Sequence, residues 1–241
     1  MGLYDVNGKV PVSAWVPSRD DAGNGTTTLT DLVGTSNGTL TNFALTGSTS
    51  NWVADTNAGG IRAIDCDITN DFVAVSVASY TNFMVSMWIN PTSFAGVPVW
   101  FGVGTFWIGL WQSKAAVSIG GTTVSHHVTL TTGWRHIVAT RNANLIQIYA
   151  DGVVGASTAS VALATPSGTA HIANFAGQGF TFKGTGRFDD VRLFGVGGDA
   201  SDVSYLYQSG TGRGRQNVLS DFEAAGMFGG MSGAMTGGMA S

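Results

Sequence analysis

The chain has 241 residues, of which 44% are hydrophobic and only 11% are charged, and its formal net charge is −4. Its 11 Lys and Arg residues are scattered, which excludes a basic nucleic-acid surface, and the scarcity of charged residues disfavours a helical bundle. Cys66 is the single cysteine and no run of eighteen apolar residues occurs, so the sequence predicts neither an internal disulfide nor a membrane span.

The first residues, Met1–Val6, lack the basic head and the apolar stretch of a secretory signal. We therefore expect a product made in the cytoplasm, and a lone cysteine fits a reducing compartment.

Two clusters of acidic residues lie in the first third of the chain. Asp65, Asp67 and Asp71 form the densest group of oxygen ligands, and they are the candidate ligands of a structural calcium ion. The pair Asp20 and Asp21 is a second candidate. The alternative interpretation of both clusters is turn chemistry, because aspartate side chains bond their own backbone in turns. The sequence predicts no other cofactor.

Strand patterns dominate residues 61 to 195. In Phe83–Asn90, alternation places Phe83, Val85, Met87 and Ile89 on one face, and Pro91 ends the strand. Gly120-Gly121 and Asp151-Gly152 each separate two strand-like runs and predict tight hairpins, because both turn residues need a positive φ. About a dozen short strands with turns every ~8–12 residues predict an all-β sandwich or barrel.

The strand Phe106–Trp111 carries the clearest binding pattern. Phe106, Ile108 and Leu110 point one way, while Trp107 and Trp111 point the other way on either side of Gly109. Two indoles with a small gap between them could stack on sugar rings or accept an apolar side chain of a partner protein. The alternative interpretation is that a helix or the C-terminal tail covers this face and makes both residues core.

The adjacent histidines His126 and His127 have a structural interpretation. They are expected on opposite faces of one strand, so they would not bind a common metal ion.

The β pattern ends near residue 196. Residues 199–207 predict a short helix with Asp199 or Ser201 as N-cap and Gly210 as stop, and residues 217–225 predict a second helix. The last sixteen residues hold four of the seven methionines but also six glycines, which disfavour an isolated helix. We expect this tail to become ordered by docking on a partner, through Met227, Phe228, Met231, Met235 and Met239.

Five segments resemble, in the same order, segments of the concanavalin A-like lectin/glucanase superfamily of the laminin-G type: Phe83–Pro91, Gly133–Thr140, Ile148–Gly152, Phe188–Phe194 and Leu206-Tyr207. The resemblance spans roughly residues 10–208, and it implies that His136, in the second of these segments, is a hydrogen-bonded core residue. It implies an all-β fold, a two-sheet antiparallel β-sandwich (jelly roll), followed by one or two short helices and an irregular Gly/Met-rich tail. We therefore expect a sandwich domain over residues 1–208 and an extension over residues 209–241.

The fold does not determine the function, since the superfamily includes glucanases, lectins, adhesion modules and phage structural proteins. Retaining glucanases of this fold carry a Glu-x-Asp-x-Glu strand, whereas Glu223 is the only Glu here and lies outside the β region. The sequence thus indicates no enzyme.

The composition and the tail favour a structural protein of a virion, such as a phage capsid decoration or fibre protein. Such a protein would form homo-oligomers and would dock on neighbouring subunits through its tail and an apolar face. A stand-alone carbohydrate-binding module, with a glycan held by Trp107 and Trp111, is the alternative. The expected location is the virion, or in the alternative the cytoplasm.

Overall fold

The computed structural model describes residues 4–20, 26–44, 52–54, 62–66, 70–155, 158–175 and 183–208. Within these ranges the chain forms seventeen strands, one 3₁₀ turn (Pro17–Arg19) and one α-helix, α1 (Ala200–Tyr207). The strands are β1 (Ser13–Trp15), β2 (Thr28–Leu29), β3 (Gly38–Thr41), β4 (Trp52–Ala54), β5 (Arg62–Cys66), β6 (Phe72–Val77), β7 (Phe83–Pro91), β8 (Val99–Val103), β9 (Phe106–Trp111), β10 (Lys114–Ile119), β11 (Thr122–Ser125), β12 (Arg135–Asn142), β13 (Leu145–Ala150), β14 (Val153–Val154), β15 (Ala159–Ser160), β16 (Gly168–Ile172) and β17 (Gly186–Phe194).

Two antiparallel sheets face each other, which confirms the predicted sandwich. Over the described residues, one sheet has nine strands in the order β14-β13-β12-β7-β17-β5-β4, with β1 also paired to β17 and β15 to β13. The other sheet has eight strands in the order β11-β10-β9-β8-β16-β6-β3-β2. The predicted hairpin turns are confirmed, since Gly120, Gly121, Asp151 and Gly152 all have positive φ angles.

The core lies between the two sheets and follows the predicted alternation. Phe83, Val85, Met87 and Ile89 from β7 all belong to it. The Phe83 ring packs edge to face against the ring of Phe106, which belongs to the opposite sheet, and the two ring centroids lie 5.0 Å apart.

Helix α1 packs on the outer face of the nine-stranded sheet. Its Val203 and Leu206 join Met84, Val138 and other apolar side chains in a second buried cluster. Asp199 is the N-cap, as predicted, and it forms a capping box with Asp202. The helix ends at Tyr207, as predicted, and Gln208 supplies the left-handed conformation at its C-cap, two residues before Gly210.

Several predicted features lie outside the described residues. These are the second helix at 217–225, the extension 209–241 with Met227, Phe228, Met231, Met235 and Met239, and the residues Asp21, Asp67 and Glu223. Within the described residues, α1 is too short to cross a lipid bilayer and no other helix has the length and apolar character to do so.

Candidate functional site

Strand β9 presents its two tryptophans on the outer face of the eight-stranded sheet. Phe106, Ile108 and Leu110 are buried in the core, whereas Trp107 is half-buried and Trp111 is 43% exposed. Trp111 is the single aromatic residue among the exposed large apolar side chains that the structure describes. An exposed indole is an exception to the burial pattern of tryptophan, and this marks Trp111 as a candidate contact residue.

The expected gap between the two indoles is occupied by backbone. A Cβ atom on Gly109 would lie 2.2 Å from the Pro98 carbonyl oxygen, which accepts a hydrogen bond from the Leu110 N–H at 2.8 Å. The cause is a bulge in β8, where Trp100 is an extra residue between Val99 and Phe101. The prediction of an open slot was therefore wrong, and Gly109 instead admits the neighbouring strand.

Trp107 lies in a row of small and uncharged residues that crosses the sheet. Strand register aligns, in order, Thr123, Ser118, Trp107, Gly102, His171, Ala74 and Thr39. The Thr123 hydroxyl donates to the Ser118 hydroxyl at 3.1 Å. Sequence reasoning did not find this row, because strand register is set by contacts between residues far apart in the chain.

Aromatic rings continue this row beyond Trp107. The Phe175 ring covers Gly102, where a Cβ atom would lie 2.6 Å from Phe175 Cδ2. His171 stacks on Phe72 with ring centroids 4.0 Å apart, and burial lowers the pKa of His171. The central part of this face is thus aromatic and uncharged, which suits a neutral ligand with apolar faces.

The loop of residues 126–134 lies next to the hairpin turn that follows Trp111. The Leu130 N–H donates to the Ser113 carbonyl at 2.8 Å, two residues beyond Trp111. The expectation that His126 and His127 lie on opposite faces of one strand was wrong, because β11 ends at Ser125 and the two imidazoles stack with centroids 4.5 Å apart.

The outer face of the other sheet is closed by α1. His136 is buried there and its Nε2 lies 2.9 Å from the Ser86 hydroxyl, which agrees with the predicted core role. Trp88 and Tyr207 stack above it with centroids 6.0 Å apart. The two outer faces therefore differ, since α1 and Tyr207 cover the nine-stranded sheet.

The calcium candidates remain a prediction. Asp65 forms an ion pair with Arg187 at 3.4 Å, Asp71 is buried, and Asp67 lies outside the described residues. Asp20 accepts hydrogen bonds from the Thr30 N–H and hydroxyl, ten residues further along the chain, so these bonds join two segments and are not those of a local turn. Within the described part of the chain, no three His, Cys, Asp or Glu side chains are grouped to hold a metal ion.

Buried aspartates elsewhere have structural partners. Asp189 accepts bonds from the Ser18 N–H at 3.1 Å and from the Ser18 hydroxyl at 2.6 Å. Asp190 binds the buried Arg192 guanidinium through two bonds of 2.6 and 2.8 Å. Asp31 accepts four backbone N–H groups. Each of these carboxylates is committed to holding the fold.

The family profile of the concanavalin A-like lectin/glucanases superfamily matches residues 67–204. No curated protein sequence matches the chain.

Solved structures share the fold at low sequence identity. Domain 4 of AbnA, a GH43 extracellular arabinanase from Geobacillus stearothermophilus solved with arabinotriose, is 16% identical, has a TM-score of 0.62, and aligns over 84% of this chain and 98% of that domain. The sialidase of Trypanosoma rangeli is 12% identical with a TM-score of 0.61, over 83% of this chain and 32% of the sialidase, so this chain spans about a third of that enzyme. The binding domain of Paraclostridial Mosquitocidal Protein 1 is 17% identical with a TM-score of 0.59, over 86% of this chain and 53% of that one.

Proposed function

Because the chain belongs to the concanavalin A-like lectin/glucanases superfamily, we propose that it is a non-enzymatic glycan-binding module whose ligand contacts Trp111 and Trp107. The observation that carries this proposal is the exposed Trp111 indole on the sheet face that α1 leaves uncovered. Aromatic side chains present a flat apolar surface that stacks on the C–H faces of sugars.

The carboxyl groups of the chain support binding without catalysis. Hydrolysis of a glycosidic bond needs two suitably spaced carboxyl groups. Glu223 is the only Glu in the sequence, and Asp31, Asp189 and Asp190 are buried and hydrogen-bonded to the fold. A neutral glycan is the preferred class, because the row through Trp107 carries no charged side chain.

Direct binding measurements test this proposal. The full chain is titrated by calorimetry with neutral arabino- and gluco-oligosaccharides and with a sialylated trisaccharide, after a glycan array has narrowed the choice. Trp111→Ala should raise Kd at least tenfold, because truncation of an anchoring Trp costs about 2 kcal/mol or more.

The matched control is Leu163→Ala, which removes a side chain that is 56% exposed and contacts the Gly120 turn at the opposite end of β10. It should leave Kd unchanged. A silent array for the wild-type chain, or equal affinity of the Trp111→Ala variant, would refute the proposal.

The second candidate is the assembly role in a virion, with the tail as the docking segment. The observation that favours it is the tail sequence, in which Met227, Met231, Met235 and Met239 recur every four residues among glycines. Methionine suits irregular apolar grooves because its side chain is flexible.

Deletion of residues 226–241 separates the two candidates. Under the assembly role, the deletion variant should lose its oligomers, as measured by light scattering, or its incorporation into particles, while its glycan binding persists. A variant with these four methionines replaced by Ser keeps the tail at its full length. It therefore separates the loss of the methionine side chains from the loss of the whole segment. Unchanged assembly in both variants would exclude docking through the tail.

A further inference from the structure

The loop of residues 126–134 bridges the two sheets at one side of the sandwich. Its first backbone N–H, that of His126, donates to the Ala115 carbonyl of β10 at 2.7 Å. The His126 ring reaches the other sheet, where Nε2 lies 3.2 Å from the Val153 carbonyl of the edge strand β14. His126 therefore connects the eight-stranded sheet to the edge of the nine-stranded sheet.

Both ring nitrogens of His126 are used, and they fix its protonation state. Nδ1 accepts a hydrogen bond from the Val128 N–H at 3.1 Å, so Nδ1 carries no proton. Nε2 must then donate to Val153. Only the neutral imidazole with its proton on Nε2 satisfies both partners, and the residue is just 2% exposed.

We propose that His126 is a pH-sensitive latch whose protonation releases the 126–134 loop from β14 and loosens the surroundings of Trp111. A proton on Nδ1 would place two donors opposite each other across the 3.1 Å separation from Val128 N. The Nδ1–H of the buried His126 ring would then have no hydrogen-bond acceptor in its present geometry, and an unsatisfied buried donor is costly.

The charged neighbours of the ring act on its protonation in opposite directions. His127 stacks on His126 with ring centroids 4.5 Å apart, and charge repulsion between the two rings favours the closed, neutral form of His126. Asp151 opposes this effect, but its carboxylate is already engaged by Arg135 at 3.0 Å and by the His136 N–H at 2.9 Å. Burial above all lowers the pKa of His126 from the ordinary 6.5, against the opposing effect of the Val153 carbonyl.

Nuclear magnetic resonance of the full chain tests the latch. The ring signals of His126 and His127 are titrated, and the exchange protection factor of the Val128 amide is followed between about pH 7.5 and pH 5. We expect His126 to titrate below its ordinary pKa of 6.5, and the Val128 protection factor to fall about tenfold as His126 gains its proton.

Two variants sharpen this test. His126→Asn keeps an acceptor for the Val128 N–H but does not titrate, so its Val128 protection should be independent of pH. His127→Asn leaves the latch in place and should retain the fall. The inference is overturned if His126 titrates at or above its ordinary pKa of 6.5, or if Val128 protection stays constant while His126 titrates. If His126→Asn does not fold, the wild-type titration alone decides.

The effect on ligand binding rests on the proposed function, whereas the latch does not. With a glycan found by the array, Kd should rise at least threefold from pH 7.5 to pH 5 in the wild type but not in His126→Asn. Absence of glycan binding at both pH values, with the titration as expected, would refute only the proposed function. Equal Kd values while the latch opens would refute the link to Trp111.

Discussion

Buried polar residues show at the scale of single side chains how this low-charge sequence fixes its fold. Asp190 has a positive φ of 50° at the irregularity in β17 between Asp189 and Arg192. This backbone conformation brings the Asp190 carboxylate onto the Arg192 guanidinium two residues away. The sequence Asp-Asp-Val-Arg could be recognised as a family motif, but the ion pair could not be predicted, because it depends on the bulge.

The buried ion pair leads to the first prediction. Asp190→Ala should lower the free energy of unfolding by about 3–5 kcal/mol, because it leaves the Arg192 charge buried without its carboxylate. Asp65→Ala, which removes a half-exposed partner of Arg187, should cost only about 0–1 kcal/mol. Urea denaturation of both variants measures the difference, and equal losses would contradict the structural role assigned to Asp190.

The second prediction concerns His171 and acid stability. Burial holds the pKa of His171 below its ordinary value of 6.5, so the unfolded chain takes up a proton first as the pH falls. The free energy of unfolding should therefore be highest above pH 6.5 and decrease below it, with His126 acting in the same direction.

Replacement by Phe isolates the share of His171. His171→Phe keeps a ring to stack on Phe72 and removes Nδ1, a buried nitrogen without a hydrogen-bond acceptor or donor among the described residues. The variant should lose less stability between about pH 7.5 and pH 5 than the wild type does. Chemical denaturation at both pH values checks this, and an unchanged pH dependence would show that His171 does not contribute.

At the scale of elements, local patterns were sufficient for strands and turns. The alternation in β7, the paired positive-φ turns and the Asp199 cap all depend on residues close in the chain, and all were predicted. The bulge in β8 and the cover it places over Gly109 were not predicted, because they arise between strands. The same limit explains why the sheet covered by α1 was not foreseen.

Helix α1 joins the two ends of the described chain and gives the third prediction. Asp202 is buried, closes the capping box, and binds Lys9 at 2.9 Å and Asn7 at 3.0 Å. Asp202→Ala should therefore free both α1 and residues 4–9, at a cost above the ~0.5–2 kcal/mol of losing a helix cap alone.

Hydrogen exchange measured by mass spectrometry checks this prediction. Peptides from α1 and from residues 4–9 should lose protection together in Asp202→Ala, while peptides from β7 and β12 keep theirs. Ser204→Ala, at an exposed position of the same helix, is the control and should change neither end. If protection were lost in α1 alone, the structure of residues 4–9 would not depend on Asp202.

At the scale of the whole molecule, the two outer faces differ in what covers them. One face is buried beneath α1 and adds to stability, whereas the other carries Trp107 and Trp111. The sandwich core between them holds both sheets in place through contacts such as Phe83 on Phe106. Under the proposed function, stability and binding should therefore separate when residues on opposite sides of one strand are changed.

Phe106 and Trp107 offer that comparison, because they are neighbours in β9 that face opposite ways. Phe106→Ala should lower the free energy of unfolding by about 3–5 kcal/mol, because it leaves a cavity between the sheets. Trp107→Ala should lower the free energy of unfolding by only about 1 kcal/mol, since folding removes only part of the Trp107 ring from water. Under the proposed function, Trp107→Ala should nevertheless weaken glycan binding more than Phe106→Ala does under folding conditions. Urea denaturation and calorimetric titration of the two variants give both quantities, and a parallel loss of stability and binding in both would mean that the outer face has no separate role.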